Sequence, residues 1–344
     1  NRHWQRVRVL LKGLPIDRET ATLGILACTR LLGMSLSVKI DLDEARSLLK
    51  EGQVLADTIG DQRAHLNLAQ AYGFVLNSAG DLVAYLELTI ENQAAALKID
   101  DIGVQANASL YLVDALGHAG RLPEALEVAE NGLERFPRDL PASEWIGGMN
   151  PYVICSIWRG ICLCWMGRVP EGLEELDRGS RLTEEDGTSE MTGYALMLAA
   201  EAYYRAHDAE QALDKARQVE EINRKLGEPA NLIALTQLAY GYAHLTAGRA
   251  VDAIEPARSA LYLHGSVVNE MTGWSSTLLA EALLAAGDLS GAKAAAEEAI
   301  MLCQHSQRAL FEAVGQGTLA RTLLRRDGIA ACTAIESALD NAAH

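Results

Sequence analysis

Apolar residues recur every three to four positions along almost the whole chain, which is the spacing of an amphipathic α-helix. A short turn interrupts this pattern again and again, as in AGRLPEAL at 119–126 and MGRVPEGL at 166–173. The pattern therefore predicts a succession of helices and no strands. The predicted helices span 2–13, 17–33, 42–58, 62–78, 82–98, 102–119, 122–135, 151–166, 169–183, 189–206, 209–225, 230–247, 250–264, 270–286, 289–304, 308–326 and 329–341.

The interrupting turn has one position that is nearly always glycine. This position is occupied by Gly80, Gly120, Gly167, His207, Gly248 and Gly287, at intervals of 40, 47, 40, 41 and 39 residues. A period in this range is typical of stacked helical hairpins, each with an A helix before the turn and a B helix after it. The chain is therefore predicted to be an all-α, right-handed α-solenoid of about seven to eight antiparallel helix pairs. Such arrays bind partners along an extended surface.

The preference for glycine at the turn position has a physical cause. An A helix that reverses within a few residues needs a left-handed residue, which glycine adopts without a Cβ clash. His207 in this position is expected to cost up to about 1 kcal/mol relative to glycine. A small residue follows each of five turns and is expected to let the paired helices approach closely; these residues are Ala125, Gly172, Ala212, Ala253 and Ala292.

Composition and charge narrow the functional classes. The net charge of −16 repels phosphate backbones, so nucleic acid is not an expected partner. Residues 1–12 carry four basic residues and no acidic one. We therefore expect residues 1–14 to be a linker or the end of a preceding domain, and residues 15–344 to be the repeat domain.

Membrane insertion, metal binding and cofactor binding find little support in the sequence. No apolar run reaches the roughly 18 residues that a membrane-spanning helix needs. The six cysteines include no Cys-x-x-Cys pair, and the eight histidines include no i, i+4 pair. We expect a reduced, cytoplasmic protein without a cofactor or a metal.

The longest connection between helices lies between Phe136 and Pro151. Loops of this length in compact folds are often functional. Trp145, Asn150, Tyr152 and Arg159 are therefore candidates to close one end of a pocket. The alternative is that Trp145 fastens the loop to the core, while Asn150 and Pro151 only begin a helix.

Aromatic residues on the A helices are candidates for a partner-binding groove, because tyrosine and tryptophan are amphipathic anchors. Tyr203, Tyr204 and Tyr240 are chosen from this set, whose alternative role is to fill the core between repeats. Adjacent helical residues face different directions, so one of Tyr203 and Tyr204 is expected at a surface. Glu201 and Glu281 share one repeat phase, with Gly241 between them. An acidic inner face would favour a basic peptide.

The repeat spacing resembles that of tetratricopeptide repeats, with a period near 40 instead of 34, and is similar to the helical arrays of signalling ATPases of the STAND class. The segments GMNPY at 148–152, WRG at 158–160 and MGR at 166–168 resemble the C-terminal arrays of bacterial class III adenylate/guanylate cyclases. The resemblance covers roughly residues 40–340. It implies a parent protein with a cyclase domain first, an AAA-type ATPase second and the array last.

The chain itself has no phosphate-binding loop of the form Gly-x-x-x-x-Gly-Lys-Ser/Thr and no cyclase-type aspartate pair. We therefore expect a non-catalytic regulatory domain that binds a protein or peptide, including the ATPase or cyclase domains of the same polypeptide, and that is monomeric as a fragment. The alternative is the helical region of a STAND transcription activator that binds a small effector. A third class, an enzyme or small-molecule binding protein with the 137–151 loop as its lid, would show a deep pocket near Trp145 and Arg159.

Overall fold

The structure, a computed structural model, describes residues 2–36, 40–146, 148–187, 190–267, 271–328 and 337. This part of the chain forms α-helices, two short 3₁₀ helices and no strand. The 3₁₀ helices are Gly33–Leu36 and Ala142–Glu144. The α-helices are α1 (Arg2–Leu11), α2 (Arg18–Leu32), α3 (Leu42–Ile59), α4 (Gln62–Ala79), α5 (Leu82–Ala96), α6 (Ile102–His118), α7 (Leu122–Arg135), α8 (Pro151–Trp165), α9 (Val169–Glu185), α10 (Glu190–Arg205), α11 (Ala209–Lys225), α12 (Ala230–Thr246), α13 (Ala250–Val267), α14 (Thr272–Ala286), α15 (Leu289–His305) and α16 (Ala309–Asp327).

The all-α repeat architecture predicted from the sequence is confirmed. Every predicted helix up to 308–326 is present, with ends that agree to within three residues. The predicted helix 329–341 lies outside the described residues. Seven A/B pairs, from α2/α3 to α14/α15, are flanked by α1 and α16 in the part of the chain that the structure describes.

The turns between A and B helices have the predicted left-handed backbone. All six turn residues have positive φ angles, from 58° at His207 to 90° at Gly80. An aspartate directly after three of these residues caps the next helix with its side chain, accepting from a backbone N–H three residues on. The three capping residues are Asp81, Asp208 and Asp288, with N···O distances of 3.1, 3.1 and 2.9 Å. Each of these three turns therefore ends one helix and caps the start of the next.

Small residues after the turns bring paired helices close together, as predicted. Ala125, Ala212, Ala253 and Ala292 have no exposed surface. A Cβ atom added to Gly172 would lie 2.7 Å from the carbonyl oxygen of Gly160 and would also meet the Sγ of Cys164. The backbones of α8 and α9 are therefore in direct contact, which no larger residue permits.

The described helices belong to two compact units. Unit 1 comprises residues 1–116 and 124–155. In it, α1 packs on α2, each helix from α2 to α5 packs on the next, and α2 also contacts α4. Residues 1–14, predicted as a linker or the end of a preceding domain, thus contain a helix that packs within unit 1. Arg8 of this helix forms an ion pair with Glu51 of α3.

The core of unit 1 includes an aromatic cluster whose buried hydroxyl groups have polar partners. Phe74 makes edge-to-face contacts with Tyr85 and Tyr111, at ring-centroid distances of 6.5 and 6.0 Å. The hydroxyl of Tyr85 lies 3.0 Å from a carboxylate oxygen of Asp114 and donates to it. The buried phenol is thereby satisfied, which removes the cost of an unpaired polar group.

Unit 2 comprises residues 117–123 and 156–344. Each helix from α9 to α16 packs on the next, and the A helices α10, α12, α14 and α16 also contact one another in sequence. This second set of contacts brings one face of successive A helices together, which places residues 40 positions apart side by side.

Candidate functional site

The A helices of unit 2 carry a ladder of residues at 40-residue intervals: Glu201, Gly241, Glu281 and Arg321. Gly241, where the ladder has no acid, is closely packed. A Cβ atom there would lie 2.6 Å from Cδ2 of Leu278, which packs against α12 at this point. A larger residue at position 241 would therefore require the side chain of Leu278 to move.

Each acid of the ladder is paired with an arginine. Arg205 donates to Glu201 at 2.6 Å, and Arg321 donates to Glu281 at 2.8 Å. The side chain of Glu201 is 3% exposed and that of Glu281 is 12% exposed. At Glu201 and Glu281, the acidic face expected from the sequence therefore consists of arginine–carboxylate pairs.

Burial raises the pKa values of two groups in this region. Burial raises the pKa of Glu201, with Arg205 acting in the opposite direction and Glu281 adding to the rise. Burial and the nearby carboxylate of Glu281 raise the pKa of Tyr204 to about 12. Tyr204 therefore keeps its proton at neutral pH and offers a hydrogen-bond donor.

Aromatic side chains from several A helices form the floor beneath these ion pairs. The indole Nε1 of Trp274 donates to the hydroxyl of Tyr242 at 2.6 Å. The ring centroid of Tyr242 lies 5.4 Å from that of Tyr204, and the ring of Trp274 lies 4.5 Å from that of Phe311. Tyr242, Trp274 and Phe311 are buried, whereas Tyr204 is half-buried.

The same floor extends to α8. Trp165 meets the ring of Phe311 edge to face at 6.1 Å, and the guanidinium carbon of Arg205 lies 3.7 Å from the centroid of the Trp165 ring. This is a close cation–π contact. We call the following set the A-helix cluster: Trp165, Glu201, Tyr204, Arg205, Tyr242, Trp274, Glu281, Phe311 and Arg321.

Tyr203 and Tyr204 point to different neighbours, as their adjacency requires. Tyr204 joins the A-helix cluster. The hydroxyl of Tyr203 donates to Asp177 of α9 at 3.2 Å, and Lys215 of α11 pairs with the same carboxylate at 2.6 Å. Both tyrosines are partly exposed. Tyr203 therefore contacts a B helix and is not part of the A-helix cluster.

Tyr240 also contacts a B helix. Its hydroxyl donates to Glu220 of α11 at 2.6 Å, and its ring stacks on His244 at 6.1 Å. Burial, followed by the hydrogen bond to Glu220, raises the pKa of Tyr240 to about 12. The structure therefore places Tyr240 apart from Tyr204, although both lie on A helices.

Arg159, predicted to help close a pocket near Trp145, belongs to a polar cluster inside unit 2. It donates to Glu175 at 2.8 Å, and this buried carboxylate also accepts from Ser156 at 2.6 Å and Arg178 at 3.0 Å. Three donors on one buried carboxylate indicate that Arg159 has a structural function, joining α8 to α9.

The other three predicted residues lie in unit 1. Asn150 is buried; its Oδ1 accepts from the backbone N–H of Tyr152, and its Nδ2 donates to the carbonyl of Arg138. These are the contacts of a helix cap, the alternative that the sequence left open. Trp145 donates from Nε1 to the carbonyl of Leu140 at 2.9 Å, which fastens the loop.

Of the seven residues predicted from the sequence, Tyr204 alone belongs to the A-helix cluster. Trp165, Tyr242 and Trp274 lie on A helices and so belong to the wider set of aromatic residues from which Tyr204 is chosen. The sequence analysis does not find Arg205, Phe311 and Arg321. The sequence does contain a signal for Arg321, because this residue lies 40 positions after Glu281 at the same repeat phase.

Other chemistry in the described residues is limited. No group of three histidine, cysteine, aspartate or glutamate side chains is arranged to hold a metal there. Burial raises the pKa of Cys28, Cys155, Cys162, Cys164 and Cys303 to about 12 in each case. Among the helices that the structure describes, none combines the length and the apolar character needed to cross a bilayer.

Comparison with known proteins identifies similar structures. No family model and no curated protein matches the chain. A Rap protein complexed with competence and sporulation factor superposes with a TM-score of 0.61 at 11% identity, covering 94% of this chain and 92% of that one. NprR in complex with its cognate peptide NprX gives a TM-score of 0.50 at 15% identity, covering 79% and 76%.

A STAND protein with a tetratricopeptide repeat sensor, from Pyrococcus horikoshii, gives a TM-score of 0.48 at 15% identity. It covers 98% of this chain but only 52% of its own length, so this chain spans about half of that protein. The likeness to the Rap and NprR structures shows that the chain has the fold of a tetratricopeptide-like helical repeat domain.

Proposed function

We propose that the chain is a non-catalytic regulatory domain that binds a protein or peptide partner at the A-helix cluster of unit 2. The observation that carries this proposal is the set of partly exposed side chains Trp165, Tyr204 and Arg205 above a buried aromatic floor. Tryptophan, tyrosine and arginine are the residue types that dominate binding energy at protein interfaces.

The cluster is held in place before any partner arrives. Glu201 fixes Arg205, and Arg205 lies on the ring of Trp165. Tyr204 packs on Tyr242, which is fixed in turn by Trp274. Side chains that are already ordered lose little conformational entropy on binding, so more of the contact energy appears as affinity.

The charge of the cluster suggests what the partner offers. Glu201 and Glu281 are both paired with arginines, and the side chain of Arg321 is 54% exposed. We therefore expect the partner to present an apolar or aromatic anchor to Trp165 and Tyr204, with charge in a lesser role. Affinity that changes only a few-fold between low and high salt agrees with this expectation.

The shared fold supports a peptide as the partner. NprR, whose structure is similar, is solved in complex with its cognate peptide NprX. Under this proposal, a ligand that touches α8, α10 and α12 together favours one arrangement of these helices and so transmits its presence.

The test uses peptides selected from a random display library on the wild-type chain. Tyr204→Ala and Arg205→Ala are each expected to weaken binding of the selected peptides at least tenfold. Tyr262→Ala is the matched control, because Tyr262 of α13 is 77% exposed and belongs to no cluster. Circular dichroism establishes that each variant is folded.

Equal affinity of the selected peptides for the wild type and for both cluster variants would place the binding surface elsewhere. Loss of binding in Tyr262→Ala alone would have the same meaning.

The finer proposal is that this domain regulates a nucleotide cyclase with an ATPase module in the same polypeptide, whose domains are then its partners. The alternative is the helical region of a STAND transcription activator that binds a small effector. The cyclase proposal is supported by the sequence segments at 148–152, 158–160 and 166–168. A cytoplasmic location, a monomeric fragment and the absence of a cofactor and of a nucleic-acid partner stay predictions.

The gene sequence upstream of Asn1 separates these two proposals. A phosphate-loop ATPase preceded by a class III cyclase domain is the expected result. Deleting the array from that protein is then expected to change basal cyclase or ATPase activity, and identical activities would contradict a regulatory function.

A further inference from the structure

Unit 1 contains a cleft with a cavity volume of about 510 Å³. One side is the face of α2 from Thr22 to Arg30, continued by Gly33 and Met34 of the following 3₁₀ helix. The other side is formed by the first turns of α4, by residues 143–146 and by Gly148; Trp4 of α1 completes the lining. Small-molecule sites typically have volumes of ~300–1,000 Å³. The cleft therefore has the size of a ligand site.

The loop wall of the cleft is fixed from beneath by α6. The side chain of Asn107 donates to the carbonyl of Glu144 at 2.7 Å and accepts from the backbone N–H of Ile146 at 3.1 Å. Trp145, between these two residues, is fastened by its bond to Leu140. The wall is thus preformed and does not need to be ordered by a ligand.

Apolar groups cover a large part of the lining. Ile25 and Leu26 of α2 and Met34 lie on one side, and Trp145 and Ile146 lie on the other. Such a lining accommodates an apolar body of several carbon atoms.

Several charged groups of the cleft already have partners. Arg63 pairs with both Asp101 and Glu144. The carboxylate of Asp61, also in the lining, caps the N-terminus of α4.

Arg30 is half-buried in the lining, and no carboxylate of the described residues pairs with it. The Oδ1 atom of Asn67, also in the lining, is buried and has no hydrogen-bond partner among the described residues.

A buried acceptor without a donor costs free energy that a ligand N–H recovers. A half-buried guanidinium favours a carboxylate, which it binds in two-pronged geometry. We propose that this cleft binds a small amphipathic carboxylate with an N–H group near the carboxylate and an apolar side chain. Arg30 binds the carboxylate, Asn67 accepts from the N–H, and the apolar lining holds the side chain. This site is separate from the A-helix cluster and does not depend on its function.

This chemistry has two sources, a free or N-acylated amino acid and the C-terminal end of a peptide. Calorimetric titration of the full chain distinguishes them with four probes. The probes are N-acetyl-L-phenylalanine, N-acetyl-L-phenylalaninamide, the peptide Gly-Gly-Phe with a free C-terminus and the same peptide amidated. The carboxylate form of each pair is expected to bind at least tenfold more tightly than its amide. Tighter binding of the first pair identifies the amino acid as the source, and tighter binding of the second identifies the peptide end.

Three variants test the residues. Arg30→Gln is expected to lower the affinity for the carboxylate probe at least tenfold and to abolish its advantage over the amide. Asn67→Ala is expected to lower the affinity several-fold for carboxylate and amide alike, without lowering the melting temperature, since its Oδ1 has no partner to lose. Arg18→Gln is the matched control, because Arg18 is an exposed residue of the same helix α2 outside the lining.

The proposal is overturned if no probe binds the wild type at millimolar concentration, or if the amides bind as tightly as the carboxylates. It is also overturned if Arg30→Gln binds the probes like Arg18→Gln. If Arg30→Gln fails to fold, Asn67→Ala still decides, because unchanged affinity in that folded variant removes the assigned acceptor.

Discussion

The indole Nε1 of Trp274 donates a 2.6 Å hydrogen bond to the hydroxyl oxygen of Tyr242, and each side chain is only 2% exposed. This bond joins α14 to α12 inside the A-helix cluster. Because neither group is open to water, the loss of one partner leaves the other unsatisfied.

Replacing Tyr242 with phenylalanine is therefore expected to lower the free energy of unfolding by about 1–3 kcal/mol, since the buried indole N–H loses its acceptor. Urea denaturation followed by circular dichroism measures this. Tyr262→Phe, which changes a tyrosine that is 77% exposed, should stay within about 0.5 kcal/mol of the wild type. Equal effects of the two substitutions would contradict a stabilising function of the bond.

The burial of Glu201, which outweighs the opposing effect of Arg205 on its pKa, predicts a pH dependence of stability. Burial raises the folded-state pKa of Glu201 above its ordinary value of 4.5, so its protonated form favours folding. This contribution is fully present below 4.5 and is lost as the pH rises through the raised folded-state pKa. The free energy of unfolding of Glu201→Gln minus that of the wild type is therefore expected to increase with pH across this window.

The control for this pH dependence is Glu171→Gln. The hydrogen bond from Arg168 lowers the pKa of Glu171, so the stabilising contribution of its carboxylate is present above the ordinary value and lost as the pH falls. The free energy of unfolding of Glu171→Gln minus that of the wild type is therefore expected to decrease as the pH rises. A common sign in the two variants would refute the assigned burial effect at Glu201.

The left-handed residue His207, with φ of 58°, predicts a stabilising substitution. His207→Gly is expected to raise the free energy of unfolding by up to about 1 kcal/mol, because glycine adopts this backbone without a Cβ clash. Gly287→Ala, at φ of 86°, should lower it by about 1–2 kcal/mol for the same reason. Thermal and urea unfolding measure both, and a destabilised His207→Gly would show that the histidine side chain contributes more than the strain removes.

Alanine substitution of two glycines inside helices is expected to change the free energy of unfolding in opposite directions. Gly172→Ala forces a Cβ atom against Gly160 and Cys164 and is expected to cost about 1–3 kcal/mol. Gly317→Ala, in α16, places its Cβ atom in open space and is expected to add about 0.5–1 kcal/mol through helix propensity. The ordering of the two variants in urea denaturation checks the close approach of α8 and α9, and the reverse ordering would contradict it.

The positions of the helices could be predicted from the sequence because each end is specified locally. The glycine at a turn and the residues after it determine where one helix stops and the next starts, as at Gly80 and Asp81. The contact between Trp165 and Phe311 could not be predicted in this way. It joins α8 to α16 and depends on the sum of small rotations between successive repeats.

Only part of the A-helix cluster could be predicted from the sequence, because the rest depends on how neighbouring helices pack. The repeat phase of Glu201 and Glu281 was visible in the sequence, but the arginine partners and the obstruction of Gly241 by Leu278 depend on the packing of neighbouring helices. Asn150 shows a second limit of reasoning from the sequence. Its position in a long loop is compatible both with binding and with a helix start, and the structure shows the contacts of a helix cap, which depend on the exact path of the loop.

The hydrogen bonds between the side chain of Asn107 and the loop at 144–146 bear on the association rate of a ligand at the cleft of unit 1. Because the loop is bonded to α6 through Glu144 and Ile146, its opening requires breaking the same bonds that hold it to the helix. The amide hydrogen of Ile146 should therefore exchange with solvent as slowly as amides within α6. The cleft is therefore preformed, and the association rate of a ligand is limited by diffusional encounter and not by closure of the loop.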